Sequence, residues 1–200
     1  MSATVLYMSM SVDGFIAGPN DGPGNGLGDN GHSLHEWLWT GDASNGPSGI
    51  PGRPSGANGE MFDEFMATGA VVTGRRTFDL AGGWAGDHHD GVPIFVLTRH
   101  APDGEKTDWP LVSYVGDVAE AMSRAKQAAG DKDVLVHGAR TAQLALAAGV
   151  LDELQIHVVP VLLGHGRRLF DHLDAEHIEL ELTRTIDAPG VTHLRYRVRR

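Results

Sequence analysis

Short apolar runs, separated by glycine turns and amphipathic stretches, set the rhythm of this chain. Residues 4–10 (TVLYMSM), 70–73 (AVVT), 93–98 (PIFVLT), 111–115 (LVSYV) and 134–136 (VLV) are of strand length and rich in β-branched and large apolar side chains. The 134–136 run shows no polar alternation, the pattern of a strand buried on both faces. Leu154, Ile156 and Val158 alternate with Gln155 and His157 until Pro160 removes a ladder donor. Residues 178–186 and 192–198 alternate as well, and Asp187-Ala188-Pro189-Gly190 between them is a hairpin signal. Helical stretches lie between the strands. Residues 60–68 carry Met61, Phe62, Phe65 and Met66 on one face and stop at Gly69, and residues 78–81 stop at Gly82-Gly83. Asp117 with Glu120 three positions on is a capping-box pattern, followed by a stripe of Val118, Ala121, Met122 and Ala125. Thr141 is placed to cap residues 142–148, and Gly149 sits where a left-handed C-cap belongs. Eight strands and about four principal helices in this order predict an α/β fold. Its sheet is mostly parallel, has helices on both faces, and ends in an antiparallel hairpin.

One stretch breaks the rhythm. Residues 18–59 hold twelve glycines and several prolines, too few apolar side chains to build a core, so they predict a long loop inserted in a single domain spanning 1–200. Within it, residues 32–39 (HSLHEWLW) predict a short helix whose Leu34, Trp37 and Leu38 face the body, as a lid over a site would. Gly26, Gly28 and Gly31 have G-x-G-x-x-G spacing, but no strand precedes them and they are no dinucleotide fingerprint. His32 and His35 lack neighbouring carboxylates or cysteines, so no metal site is expected there.

Composition narrows the function classes. A chain of 200 residues with 41% hydrophobic content buries a core without staples, and with no cysteine it has neither disulfide frame nor thiol chemistry. A cytoplasmic location is expected, since no apolar run approaches the ~20 residues that span a bilayer. The formal charge of −10 repels nucleic acid and anionic membranes, which leaves a small molecule as the expected partner and makes any anion site local. Two local sites fit an anion. Gly138 turns a buried strand into a helix at Ala139, Arg140 and Thr141, where free amides and the helix dipole face a ligand. Gly74-Arg75-Arg76-Thr77 does the same after residues 70–73, adding two guanidiniums and a hydroxyl. The plain alternative is a capped surface helix with solvated arginines. His88 and His89 read as exposed loop.

Three strings together resemble the dihydrofolate-reductase-like reductases, in the branch related to the C-terminal reductase domain of riboflavin biosynthesis. They are S-V-D-G-F-I-A-G from Ser11, G-R-R-T from Gly74, and the run from Gly138 through L-D-E-L (151–154) to V-P-V-L-L-G-H-G-R-R-L-F (159–170). The resemblance covers nearly the whole chain apart from the glycine-rich insertion, and implies the dihydrofolate-reductase-like fold. It implies NADPH as cofactor, with Gly74, Arg75, Arg76 and Thr77 at its pyrophosphate and 2′-phosphate and Thr98 and Arg99 favouring NADPH over NADH. Ile16 and Ala17 would pack on the nicotinamide, beside the turn of His137, Gly138, Ala139, Arg140 and Thr141, where His137 replaces the first glycine of the family pair. Ser11, Asp63 and Trp84 are candidate substrate contacts. Asp13 is the candidate catalytic or substrate-orienting carboxylate, its alternative being a turn aspartate bonding nearby backbone. The implied reaction is hydride transfer to the ribosylaminopyrimidine of riboflavin synthesis, with another pterin-like or carbonyl substrate, or a non-catalytic nucleotide-binding module, as alternatives. A homodimer is the oligomer that the apolar tail 159–170 would support.

Overall fold

The computed structural model describes residues 2–38, 53–100, 109–173 and 177–199. Its elements are β1 (Thr4–Ser11), β2 (Phe15–Ala17), α1 (Gly56–Met66), β3 (Ala70–Gly74), α2 (Arg75–Leu80), β4 (Ile94–Leu97) and β5 (Val112–Val115). The chain continues through α3 (Val118–Ala129), β6 (Val134–His137), α4 (Ala139–Ala147), β7 (Glu153–Val159), β8 (Arg167–Arg168), β9 (Leu180–Ala188) and β10 (Val191–Val198). Eight strands form one sheet in the order β5-β4-β3-β6-β1-β7-β10-β9, while β2 and β8 pair separately. All pairings from β5 to β7 are parallel, and β10 runs antiparallel to both its neighbours. The expected sheet is present, and two further short strands pair apart from it.

Pleating assigns the two faces. Leu6, Val72, Val134, Val136, Leu154 and Ile156 pack beneath Ala121, Met122 and Ala125 of α3 and Ala142 and Ala145 of α4. The intervening Val5, Tyr7, Val71, Leu135, Ile94 and Val96 pack with Phe78 of α2 and, partly buried, Phe65, Trp84 and Trp109. Small residues on α3 and α4 let those helices lie close to the sheet. Phe78, fully buried, meets Trp84, Trp109 and Tyr114 edge-on, and its truncation removes a side chain of the kind whose loss costs about 3–5 kcal/mol.

Three boundaries differ from expectation. Helix α1 begins at Gly56, four residues early, because residues 56–59 pack against the 31–38 segment and the β9–β10 hairpin as well as continuing the helix. Helix α4 starts directly after Gly138, which is its N-cap, so Thr141 lies inside the helix rather than capping it. The helix expected at 32–39 is a 3-10 helix, Gly31–Leu38, and its continuation at Trp39 is outside the described residues. The part of the glycine-rich insertion that is described is packed. Leu34 and Trp37 join Met61, Val159 and Val191 in a third apolar cluster, which fixes this segment against the sheet. No helix among the described residues is long and apolar enough to cross a membrane.

Candidate active site

The chain starts in the middle of the sheet at β1, steps out to β3, β4 and β5, then returns as β6 between β3 and β1. Crevices at the carboxyl ends of strands where such an order reverses are where α/β sheets bind ligands. A cavity of about 1000 Å³ opens at these strand ends, walled by β1, β3, β4, β6 and β7, the 3-10 helix, α1 and the residues that follow each strand.

One end of the cavity is polar. Thr73 and His137 pair across β3 and β6, so Gly74 and Gly138 leave the sheet side by side, each opening a helix. Gly138 has φ +90°, and a Cβ there would sit 2.6 Å from Thr77 Oγ1; a Cβ on Gly74 would sit 3.0 Å from Thr141 Oγ1. Each turn is thus lined by the hydroxyl of the other's helix, and no larger residue fits between. Thr141 is 1% exposed, lines the cavity, and its Oγ1 has no partner among the described residues. A buried hydroxyl without a partner is costly, and this one lies between two helix N-termini that open on the cavity. Five guanidiniums approach this end, in two different states. Arg75 is engaged by Asp79 at 2.8 Å and Arg76 by Asp21 at 3.0 Å, Asp21 also holding Arg167. Arg99 and Arg140 line the cavity and make no hydrogen bond or ion pair with another described residue.

The other end is aromatic and imidazole-rich. Tyr7, Trp37, Phe62, Phe65 and Trp84 wall it, with His35, His88, His137 and His157. Gly83, Trp84 and Ala85 have φ of 63°, 50° and 53°, a left-handed turn that costs roughly 1–2 kcal/mol for each non-glycine residue. The strain sets Trp84 between Phe78 and the His88 and His137 rings. His88 and His89, expected in exposed loop, are in fact 5% and 3% exposed, because the left-handed turn folds them back under Phe65. They form a hydrogen-bonded chain with His137: Nδ1 to Nδ1 at 2.7 Å, then Nε2 to Nε2 at 3.1 Å. The chain's direction follows from its inner end. Thr68 Oγ1 donates to the Phe65 carbonyl and the Thr68 carbonyl only accepts, so His89 Nε2 carries a hydrogen toward Thr68. With His88 neutral, it then donates to His89 through Nδ1, and its Nε2 lone pair faces His137 Nε2. Burial pushes His137 down to about 4 and His88 well below its ordinary value, so the chain is neutral at pH 7.

Of the residues singled out from the sequence, the cavity brings together Ile16, Ala17, Gly74, Arg75, Arg76, Thr77, Trp84, Thr98, Arg99, His137, Gly138, Ala139, Arg140 and Thr141. Three do not reach it. Asp13 accepts from Ser11 Oγ at 2.6 Å and from the Leu163 and Gly164 amides at 3.1 and 2.7 Å, stapling the tail to the β1 exit. The Ser11 hydrogen bond first, then those amides, hold its carboxyl at about 2, a group that stays ionised. Ser11 is fully buried behind it, and Asp63 forms a surface pair with Arg53 at 2.6 Å. Asp13, Ser11 and Asp63 thus lie outside the set of residues that line the cavity. Sequence reasoning missed Tyr7, His35, His88 and His157. The adjacent histidines were a visible signal, but nothing local distinguishes a folded-back loop from an exposed one. The His137–Gly138 peptide is trans.

Comparison with known proteins places this geometry. The family model described as the RibD C-terminal domain matches residues 3–193. Among solved structures, a protein of Shewanella sp. PV-4 named for riboflavin biosynthesis superposes with a TM-score of 0.71 at 22% identity, covering 99% of both chains. A pyrimidine reductase-like protein of Corynebacterium diphtheriae gives 0.60 at 14% identity, covering 100% of this chain and 92% of that one. Dihydrofolate reductase of Enterococcus faecalis, solved with NADP(H), gives 0.58 at 14% identity, covering 99% and 97%. No curated protein sequence matches the chain. With the dihydrofolate-reductase-like sheet in place and the family model spanning almost all of its length, the chain belongs to the RibD C-terminal domain family.

Proposed function

We propose that the protein is an NADPH-dependent reductase that delivers hydride to a small nitrogen heterocycle held at the imidazole end of the cavity. The observation that carries this reading is the continuity of one cavity from two guanidiniums that have no partner among the described residues, Arg99 and Arg140, to a wall of neutral imidazoles. The residues present fit the cofactor. Thr141 Oγ1, without a partner in a nine-residue helix whose first amides open on the cavity, supplies a donor to a phosphate oxygen, as do the α4 amides. Arg99 and Arg140 supply charge in a protein of net charge −10. The nicotinamide, when bound, supplies the hydride. Trp37, Phe65 and Trp84 exclude water from the reacting end, and the neutral imidazoles of His88 and His137 form part of its wall. Within the family, the ribosylaminopyrimidine of riboflavin synthesis is the substrate we favour.

The test is a fluorescence titration with NADPH and NADH of the native protein, Arg75→Ala and Arg99→Ala. NADPH is preferred, and Arg99→Ala weakens it by about 10-fold or more, a charge-assisted bond being worth about 1.5–3 kcal/mol. Arg75→Ala has the smaller effect because its guanidinium is already held by Asp79. Absence of binding to either nucleotide refutes the reading; binding without turnover on pyrimidine, pterin and carbonyl compounds makes the protein a nucleotide-binding module.

A further inference from the structure

We propose that His157 is the specificity-determining hydrogen-bond acceptor of the substrate end, presenting a bare Nε2 lone pair that selects ligands offering an N–H or O–H at that point. The assignment rests on the reductase reading only in calling this end of the cavity the substrate end.

The argument starts at a side chain remote from the cavity. Asn58, 3% exposed on α1, points its Nδ2 at two backbone carbonyls, Trp37 O at 3.4 Å and Pro189 O at 3.3 Å. Carbonyls only accept, so the amide orientation is fixed and Asn58 Oδ1 is an acceptor. It faces His193 Nε2 at 2.9 Å, which must therefore carry a hydrogen. A neutral His193 then has its lone pair on Nδ1. That atom lies 2.8 Å from His157 Nδ1, so His157 donates through Nδ1 and its own lone pair is on Nε2. One asparagine thus sets the tautomers of two histidines.

The fold makes the relay rigid. His157 and His193 are direct cross-strand partners in the antiparallel β7–β10 ladder, which brings their rings to 4.9 Å. Trp37 packs 4.7 Å from His157 and 5.0 Å from His193, its own indole N–H donating to Ser9 at 3.0 Å. His157 is 5% exposed and lines the cavity, yet its Nε2 meets no partner among the described residues. Burial keeps the ring neutral, with His193, His35 and Arg184 opposing a second proton. No group of three metal-ligating side chains occurs among the described residues, so a hydrogen-bond donor rather than a cation is the partner this lone pair suits. A substrate with an acceptor or a methyl group at this point leaves the Nε2 lone pair facing nothing, and sites built to bond a polar group discriminate strongly against analogues lacking it.

The first test is the tautomer in the native protein, read from histidine 15N NMR: His157 shows a pyrrole-type Nδ1 and a pyridine-type Nε2. The second uses two probes of equal size, 2-aminopyrimidine and 2-methylpyrimidine, followed at the His157 resonances. The amino compound binds about fivefold tighter, the value of one net hydrogen bond. In Asn58→Leu, which leaves His193 unanchored, the preference falls to within about twofold while NADPH affinity is unchanged. A protonated Nε2 in the native protein, or equal affinity for the two probes at His157, overturns the proposal. NADPH titration of the same samples separates it from the reading above: NADPH binding with a reversed tautomer sinks this assignment alone. The expected tautomer and preference without NADPH binding sink the cofactor reading alone.

Discussion

Replacing Thr141 with valine separates ligand design from fold design, because the two effects have opposite signs. Valine keeps the shape and β-branching but removes a hydroxyl that is 1% exposed and has no partner among the described residues. Helix propensities of the two residues are similar, so the backbone contributes little. Leaving a buried polar group unsatisfied costs roughly 1–3 kcal/mol. Taking the lower end, Thr141→Val stabilises the ligand-free protein by about 1 kcal/mol, which for a chain of this size raises Tm by about 2–4 °C. With NADPH bound, the same substitution deletes a bond to an anionic oxygen worth about 1.5–3 kcal/mol, so Kd rises about 10- to 150-fold. Thermal melts with and without NADPH, together with a fluorescence titration, read both quantities. A variant that melts below the native protein without ligand, or that binds NADPH as tightly, refutes the view that this hydroxyl is held in reserve for the cofactor.

Other outcomes follow from the same geometry. Gly138→Ala places a Cβ 2.6 Å from Thr77 Oγ1 at φ +90°, so it destabilises by about 2 kcal/mol or more and abolishes NADPH binding; adding Thr77→Ala recovers the contact part of the loss but not the backbone part, as urea melts will show. Burial lowers His35, His137 and His193 from 6.5 to about 4, so these groups contribute no loss above pH 6.5. Between pH 6.5 and 4 the unfolded chain takes up protons that the folded one refuses, and the urea midpoint falls; His193→Phe shallows that decline, and an unchanged slope counts against a buried neutral ring. Asp13 has the carboxylate sign: held at about 2 against an ordinary 3.8, it stabilises above pH 3.8, and the benefit disappears as pH falls through 2. Asp13→Asn therefore unfolds more easily at pH 6 and converges with the native protein near pH 2, while NADPH affinity at pH 7 stays the same because the carboxylate staples residues 163–164 outside the cavity.

Local grammar was legible in the residues alone. Val134, Leu135 and Val136 had to be a strand buried on both faces, the spacing of Asp117 and Glu120 marked a helix start that the Asp117 side chain does cap, and Gly74 and Gly138 marked strand-to-helix turns. From these the sheet was legible, and the residues singled out at the two glycine turns do line the polar end of the cavity. Which charges and imidazoles are committed depends on long-range packing. Arg76 and Arg167 are neutralised by Asp21, 55 and 146 positions away, whereas Arg99 and Arg140 meet no counter-charge among the described residues. His157 meets His193 because of the β7–β10 register, and His88 reaches His137 across 49 positions because a left-handed turn at Trp84 redirects the chain. Backbone conformation follows from neighbours a few residues apart, so pattern and turn chemistry reveal it. A proton's position or an ion's partner depends on atoms within about 3 Å in space, and those are supplied by segments whose approach no local pattern encodes.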